Sequence, residues 1–420
     1  MGSRQGRRTE NSARICFLVI HIKFIHSRTV VDERMSNGEK HVPKRIGRKT
    51  TPDASRRKFL KGTGALAVTG TLGAGSASAH GDYGNRVVGY YPSYAGEYTP
   101  ADIPFDKLTH LNFAFLDVQS DGTVSVADSA DEDLLSELAT YDDTGTVFLL
   151  SISAGWYSGT FSDAASTAAR RQRFATTAVD VMERYGFDGL DLDWEFPDGS
   201  VRAEDPHNFT LLLKACRDEL DARFGSWTHL TMAGSPNPNI VDDAYEVGTI
   251  SEYLDHVNVM TYDYHGSWSS ETNFNAPFEA PTASSDFDTK HHMQYWAGKP
   301  IAKDKLVMGM PFYGRSYSGV ASTNDGLFNS FDSSTSVTYS EVVENLKPQS
   351  DYEYHWHSDA KVPWLYSAAE NTFVSYDDVS SISNKASFVK NNGYGGGMCW
   401  ELSQDSSNTL ITEMHDTLHV

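Results

Sequence analysis

From Arg86 onward, short apolar runs alternate with longer helical patterns, and this alternation restricts the possible folds more than any other feature. Strands that alternate with helices are typical of a parallel sheet. Several of the runs are apolar throughout, as expected for strands covered on both faces. The candidate strands are Val87–Tyr91, Leu108–Phe115, Thr146–Ile152, Gly186–Asp193, His229–Ala233, His256–Thr261, Lys305–Pro311 and Gly395–Trp400. Eight such units favour an α/β fold closed into a (β/α)8 or TIM barrel over an open sheet.

The connection between the seventh and eighth runs is far longer than a barrel connection needs, because 83 residues separate them. It contains short strand-like and helical segments that are rich in tryptophan and tyrosine. We therefore predict a small α+β insertion between strands 7 and 8. The predicted domains are a leader over residues 1–79, the barrel over 86–315 and 385–415, and the insertion over 316–384.

The fourth run ends with a carboxylic acid at every second position: Asp191, Asp193 and Glu195. Side chains two residues apart on a strand share a face and lie about 6.5 Å from each other. The intervening positions are apolar and suit the face toward the helices. The acids are therefore expected to point into the barrel. Catalytic groups of this barrel lie at the carboxyl ends of its strands, where Glu195 is the outermost acid.

An acidic cluster could simply reflect an acidic protein, but the position of this one argues otherwise. Each unpaired charge inside a core costs several kcal/mol, whereas ordinary acidic residues lie in solvent. Crowded carboxylates cannot all ionise, so the pKa of at least one must rise. A carboxyl that keeps its proton near neutral pH is what a glycosidase needs to protonate the leaving oxygen.

The acidic strand resembles the DxxDxDxE motif of glycoside hydrolase family 18, the chitinases, through Asp188, Asp191, Asp193 and Glu195. The similarity covers residues 86–405, and the long insertion is similar to one that deepens the cleft in one branch of the family. Other segments that resemble the family's strands are Val88–Pro92, Thr109–Phe115, Asn258–Asp263, Met310–Arg315 and Gly397–Glu401.

The resemblance implies a chitinase without an enzymatic nucleophile, because this family is a substrate-assisted exception to the two-carboxylate scheme. Glu195 would protonate the glycosidic oxygen while the substrate's own N-acetyl oxygen attacks the anomeric carbon. Glu195 would later act as the base toward water, and the configuration would be retained. Asp193 would orient the acetamido N–H, and Asp191 would share a proton with Asp193. Tyr262 would donate to the acetamido oxygen, and Asp263 would contact the sugar.

The same resemblance implies a cleft lined with aromatic rings, on which apolar sugar faces stack. Trp400 would form the floor of the subsite where the sugar ring distorts. Further implied substrate-binding residues are Tyr90, Phe113, Met260, Tyr313, Arg315 and Trp156. Asp188 and Gly189 would be structural members of the acidic motif.

The chain departs from the family after the third strand. The family usually has Ser-x-Gly-Gly-Trp there, and this chain has Ser-Ile-Ser-Ala-Gly-Trp over residues 151–156. Aligned without a gap, both glycines are replaced, by Ser153 and Ala154, and the tryptophan moves by one place. The departure weakens the expectation that strand three has the family's backbone and that Trp156 stacks on the substrate. It does not affect the assignment of Glu195 as the acid.

Two other functions compete with chitin hydrolysis. An endo-β-N-acetylglucosaminidase acting on glycans would use the same site, and a chitin-binding lectin on the same barrel would do without the acid. The insertion and the aromatic strand ends favour chitin or chitooligosaccharides as substrate, and Glu195 favours an enzyme. No metal or other cofactor is expected, because the histidines show no ligand spacing. Cys216 and Cys399 are expected to be buried free thiols, and the protein to be a monomer.

Residues 1–79 are typical of an export leader. Residues 55–79 contain, in order, a twin-arginine element, a weakly apolar run and a small-residue cleavage site. This order predicts secretion by the twin-arginine route. The motif normally lies near the start of a chain, and Met35 would open an ordinary leader. Residues 1–34 are therefore expected to be an upstream extension that is not made in the cell, or at least is not folded.

The charge of the processed chain is strongly negative. Residues 1–79 hold 16 Lys and Arg and 5 Asp and Glu, out of totals of 35 and 56. The remainder has 19 basic and 51 acidic residues, a net charge of −32. Such a charge repels itself at low salt and argues against nucleic acid and anionic membranes as partners. We predict a salt-loving protein from a halophilic archaeon.

Overall fold

The computed structural model describes residues 85–155, 157–282 and 287–419. The strands are β1 Arg86–Pro92, β2 His110–Val118, β3 Val124–Ser125, β4 Val147–Ser153, β5 Gly189–Asp193, β6 His229–Gly234, β7 His256–Val259, β8 Leu306–Pro311, β9 Tyr313–Ser318, β10 Ser333–Thr338, β11 Glu353–His357, β12 Val362–Ser367, β13 Thr372–Ser375 and β14 Gly396–Trp400. The α-helices are α1 Ser129–Leu138, α2 Ser158–Ala165, α3 Ala168–Tyr185, α4 Asp205–Phe224, α5 Pro238–Ala244, α6 Val247–Ile250, α7 Thr289–Ala297, α8 Tyr339–Glu341, α9 Val379–Asn392 and α10 Thr409–His419.

Eight of these strands close into a barrel. Their order is β1-β14-β8-β7-β6-β5-β4-β2, and β1 also pairs with β2. Every one of these pairs is parallel. Each predicted strand corresponds to one barrel strand, so the prediction of a (β/α)8 barrel is confirmed. The short β3 adds an antiparallel pair to the end of β2.

Strand β2 is His110–Val118 where Leu108–Phe115 was predicted, so it lies two to three residues further along the chain. Two other strand boundaries differ from the prediction by two or more residues because local hydrogen bonds turn the backbone. Strand β5 starts three residues later than predicted, since Gly186 adopts a left-handed conformation (φ 76°) and its N–H bonds to the carbonyl of Met182 to cap α3. Strand β7 ends two residues earlier than predicted, since the N–H of Thr261 bonds back to the carbonyl of Val259 at 2.8 Å. The residues that follow β7 therefore stand on a loop.

Helix α3 illustrates how the outer layer forms. Its buried residues include Phe174, Ala178 and Met182, which recur every four positions and make one apolar stripe. The hydroxyl of Thr167 accepts from the N–H of Arg170 and caps the helix start. The helix packs against α4 and β5. From outside the barrel it thus supports β5, the strand that carries the acids.

A second, antiparallel sheet lies between β8 and β14 in the chain, with the order β10-β9-β13-β12-β11. It has an apolar cluster of its own, which includes Phe274, Tyr317, Trp364 and Phe373. Strand β9 begins two residues after β8 ends, so Tyr313 opens the second sheet directly beyond the barrel. The long connection predicted between strands 7 and 8 thus contains an ordered α+β layer.

The barrel interior contains buried polar side chains beside an apolar group. The rings of His110, His229 and His256 meet there, with centroids 5.3 and 5.2 Å from that of His110. Because β2 is not adjacent to β6 or β7, these contacts cross the barrel. Burial holds the pKa of His110 and His256 well below the usual value, so both rings are neutral. The inward residues of the next layer include Asn112 and Asn258, which are also buried.

A buried ion pair holds the segment that leads from the second sheet back to the barrel. Nζ of Lys385 on α9 lies 2.5 Å from Oδ1 of Asp377, and both side chains are at most 1% exposed. Burial raises the pKa of Asp377 and lowers that of Lys385, while their mutual attraction opposes both shifts. The pair therefore fixes α9 to Asp377, two residues after the end of β13.

Cys216 and Cys399 are buried and form no disulfide, as predicted. Burial raises the pKa of both thiols, so both remain protonated. In the three described ranges, no helix combines the length and the apolar character needed to cross a bilayer.

Candidate active site

The first residues of the acidic motif are structural. Asp188, immediately before β5, accepts a hydrogen bond from the N–H of Phe148 at 2.9 Å and so ties β5 to β4. Gly189 leaves no room for a side chain, since a Cβ there would lie 2.1 Å from the carbonyl oxygen of His229. These two residues let β5 pack closely between its neighbours.

Asp191 is fully buried in the centre of the barrel and accepts hydrogen bonds from four other strands. Its Oδ2 accepts from the hydroxyls of Tyr90 and Ser151 at 2.8 and 2.7 Å. Its Oδ1 accepts from the hydroxyl of Thr231 at 2.5 Å and from Nδ2 of Asn258 at 3.5 Å. Burial raises the pKa of Asp191, and the hydrogen bonds oppose that rise. Asp191 therefore acts on its neighbours from below the cleft.

Asp193 and Glu195 differ in their access to solvent. Asp193 is 7% exposed, and burial, followed by the charges of Glu195 and Asp191, raises its pKa well above the usual value. Glu195 lies beyond the end of β5 and is exposed to solvent. It is nevertheless surrounded by enough protein to lose much of its hydration, and this desolvation, with the charge of Asp263, raises its pKa to about 7. The accessible acid is therefore partly protonated at neutral pH.

Tyr262 lies on the loop after β7, close to both acids. Burial raises its pKa well above the usual value, and the charges of Asp193 and Glu195 raise it further. The phenol is therefore protonated and can donate a hydrogen bond. Its ring packs edge-on against Tyr313 at 6.1 Å, and Met260 belongs to the same interior apolar group.

Asp263 is paired with Arg315, which lies on β9 of the second sheet. The guanidinium of Arg315 lies between the rings of Trp268 and Tyr313, 5.3 Å from each centroid. Both charged side chains are largely buried. Arg315 is predicted as a cleft contact, and the structure pairs its guanidinium with Asp263.

Trp400 ends β14 at the mouth of the barrel and is partly exposed. Its ring lies 5.4 Å from that of Tyr90 and stacks on that of Phe115 at 5.7 Å with an angle of 24°. An indole held from two sides in this way can present a flat face to a sugar. Tyr90 itself is 2% exposed and bonded to Asp191, so it lies beneath the cleft surface.

The prediction that Phe113 lines the cleft is wrong. Phe113 is fully buried in the large core that also contains helix residues outside the barrel. Side chains alternate along β2, and Ala114 belongs to the inner group, so Phe113 must face outward. The pairing of β2 with β4 is irregular just after Ala114, and Phe115 is the residue that reaches Trp400.

The altered third strand keeps its place in the barrel. Strand β4 extends through Ser153, which is in register with Asp193 on β5. Gly155 then turns the chain with φ 60°, and its N–H bonds to the hydroxyl of Ser153 at 3.2 Å. Trp156 lies outside the described residues.

Sequence reasoning missed four residues of the site: Ser151, Thr231, Asn258 and Trp268. The first three stand on barrel strands at positions that face inward, and they can be identified only once the register of these strands with β5 is known. Trp268 lies in the loop that follows β7. Its only sequence signal is that it is an aromatic residue after the carboxyl end of a barrel strand. Over residues 85–155, 157–282 and 287–419, no group of three or more His, Cys, Asp or Glu is placed to hold a metal ion.

Comparison with known proteins agrees with this geometry. The model of "Glycosyl hydrolases family 18" matches residues 86–405. Chitinase A1 of Niallia circulans is 33% identical over 78% of this chain and 58% of its own length, and Chitinase 1 of Aphanocladium album is 31% identical over 86% and 91%. The crystal structure of Ostrinia furnacalis Group IV chitinase in complex with allosamidin superimposes with a TM-score of 0.74 at 27% identity, over 80% of this chain and 98% of that one. The chain belongs to glycoside hydrolase family 18.

Proposed function

We propose that the protein is a chitinase that hydrolyses β-1,4 linkages in chitin and chitooligosaccharides, with Glu195 as general acid and base. The observation that carries this proposal is the placement of Glu195: accessible at the end of β5, next to Asp193, with a pKa of about 7. A carboxyl with that pKa is available both to give and to take a proton near neutral pH. The chitinases among its relatives support the same substrate.

The neighbours of Glu195 favour attack by the substrate's own acetamido oxygen. Asp193 is nearly buried and favours its protonated form, and Asp263 is held by Arg315, so neither is suited to act as a nucleophile. Asp193 would orient the acetamido N–H, and the phenol of Tyr262 would stabilise the developing charge on its oxygen. This assignment agrees with the mechanism that family membership implies.

In the proposed reaction Glu195 gives its proton to the glycosidic oxygen as the bond to the anomeric carbon breaks. The acetamido oxygen forms the new bond to that carbon and yields a cyclic oxazolinium intermediate. Glu195, now ionised, takes a proton from water as the water attacks the anomeric carbon, which opens the ring. Two displacements at one carbon retain its configuration.

We expect the hexamer of N-acetylglucosamine to be cleaved to shorter oligomers whose new reducing ends are first β-anomers. The reason is that substrate-assisted cleavage passes through two inversions at the anomeric carbon. Proton NMR during the first minutes of reaction in high salt measures the anomer ratio, and an N-linked glycan tested in parallel addresses the endoglycosidase alternative. An initial excess of the α-anomer would contradict the mechanism, and binding without cleavage would favour a lectin.

We also propose that the protein is secreted by the twin-arginine route from a halophilic archaeon. The support is the order of the leader segments in residues 55–79 and the net charge of −32 on the remainder. A mature protein whose mass corresponds to a start at His80 would agree with export and cleavage after Ala79.

Lowering the NaCl concentration from 1 M to 0.01 M is expected to lower the thermal midpoint of unfolding. The Debye length grows from about 3 Å to about 30 Å over that range, so the repulsion among the acidic residues is no longer screened. Differential scanning calorimetry at constant pH measures the effect, with sucrose of matched osmolality at low salt as the control. A midpoint that does not change with salt would refute the halophilic assignment.

A further inference from the structure

The carboxylate of Asp191 is surrounded by hydrogen-bond donors on both oxygens. The hydroxyls of Tyr90 and Ser151 donate to Oδ2, and that of Thr231 donates to Oδ1. Such donors favour the ionised form, because a carboxylate accepts them on every side, whereas a protonated carboxyl must itself donate. The hydrogen bonds thus favour the ionised form that burial alone would disfavour.

Asn258 determines the direction of one of these bonds. Its Nδ2 lies 3.1 Å from the phenol oxygen of Tyr90 and can only donate. The phenol oxygen therefore accepts from Asn258, and its own proton is directed to Asp191, 2.8 Å away. Asn258 also lies 3.5 Å from the other oxygen of the same carboxylate.

Asp193 has a different environment, two residues further along β5. Its Oδ1 is buried and has no hydrogen-bond partner. The charges that act on it, those of Glu195 and Asp191, are both negative. Because Oδ1 has no hydrogen bond and both neighbouring charges are negative, the lower-energy place for a proton in this pair is Asp193.

We propose that Thr231 and Asn258 are positioning residues that keep Asp191 ionised, so that the proton shared by Asp191 and Asp193 rests on Asp193. Neither residue reaches the cleft, since both are fully buried and contact Asp191 from β6 and β7. They act on the reaction through Asp191. This inference rests on the proposed function, because it concerns the proton balance around Glu195.

The other titratable and charged groups that interact with this pair or face it from the surrounding elements stand above and below it. They are Tyr90 and Arg86 on β1, Tyr94 after β1, His110 on β2, Glu195 beyond β5, His229 on β6, Tyr245 after α5, His256 on β7, Tyr262 and Asp263 in the loop after β7, and Lys305 before β8. All four tyrosines have a raised pKa and stay neutral, and His110 and His256 have a lowered pKa. The proton that moves on weakening the Thr231 bond is therefore the one on Asp193.

The consequence for catalysis is a higher pKa of Glu195, the catalytic acid. If Asp191 loses a donor, it competes better for the shared proton, and Asp193 is ionised for more of the time. A charged Asp193 beside Glu195 disfavours the ionised form of Glu195 and raises its pKa. The pH at which Glu195 stops being protonated then moves upward.

The test is the pH dependence of kcat/KM on the N-acetylglucosamine hexamer in high salt, for the full chain and its variants. For the wild type we expect kcat/KM to fall tenfold per pH unit above about pH 7, since the protonated form of Glu195 is required. In T231V, which removes the hydroxyl and keeps the shape, the alkaline limb is expected to move up by about one unit. T231S restores the hydroxyl and is expected to restore the wild-type limb.

T210V is the matched control, because Thr210 on α4 is also buried, at 3% exposed, and its hydroxyl bonds to the carbonyl of Pro206 within its own helix. Its limb is expected to stay in place. N258L and T231A should shift the limb in the same direction as T231V, and they keep the test available if T231V does not fold. A lower kcat in these variants with an unmoved alkaline limb would overturn the inference. A wild type that does not cleave the hexamer would instead refute the proposed function.

Discussion

Glu195→Gln is expected to reduce kcat on the N-acetylglucosamine hexamer by about a thousandfold or more, with little loss of binding. Glutamine has the size of glutamate and can still donate a hydrogen bond, but it cannot transfer a proton to the leaving oxygen. General acid and base catalysis contributes about 10² to 10⁴ in rate, and Glu195 supplies both in the proposed reaction. Single-turnover kinetics and titration calorimetry in high salt separate the rate of cleavage from the affinity.

Glu252→Gln makes the same chemical change at an exposed position after α6 and should leave both quantities unchanged. Cleavage by the Glu195→Gln variant within tenfold of the wild-type rate would show that another group is the acid. Loss of binding together with cleavage would instead show that glutamine disturbs the cleft, and the rate could not then be assigned to proton transfer.

Lys385→Met is expected to lower the free energy of unfolding by about 3–5 kcal/mol. Methionine fills much of the space of the lysine, but it leaves the carboxylate of Asp377 buried without its cation, and an uncompensated buried charge costs about that much. Urea unfolding followed by tryptophan fluorescence in high salt measures the loss. Part of it should be recovered below neutral pH, because Asp377 can then take up a proton more readily.

Two further variants separate charge from packing. Lys214→Met breaks a solvent-exposed ion pair with Asp218 and should change the stability little, since such pairs are screened by water. Asp377→Asn combined with Lys385→Met removes both buried charges and should recover much of the stability lost in the single variant. If the double variant is no more stable than the single one, the loss comes from packing and not from charge.

The parts of the site that follow from the geometry of one strand could be predicted from the sequence. A side-chain period of two placed Asp191 and Asp193 inside the barrel and Glu195 at its mouth, and the structure has all three there. The same rule, applied strictly to β2, also excludes Phe113 from the cleft. The family resemblance led to the wrong prediction for Phe113, because a motif match does not state which face of the strand a residue occupies.

Contacts between distant segments could not be predicted in this way. The pairing of Asp263 with Arg315 joins a loop of the barrel to the second sheet across 52 residues. Local pattern gives the strands but not the position of one sheet relative to another. Thr231 likewise gives no signal in its own strand, and its role becomes visible only when the register of β5 and β6 is known.

The first strand of the second sheet has a consequence for engineering. Strand β9 supplies Arg315, the cation that pairs with Asp263. The layer between β8 and β14 therefore contributes to the electrostatics of the active site and cannot be removed without affecting it. Trimming that layer to obtain a minimal barrel, or exchanging it for the corresponding layer of a relative, would leave Asp263 without its counter-ion. Any such chimera has to carry β9 together with the barrel.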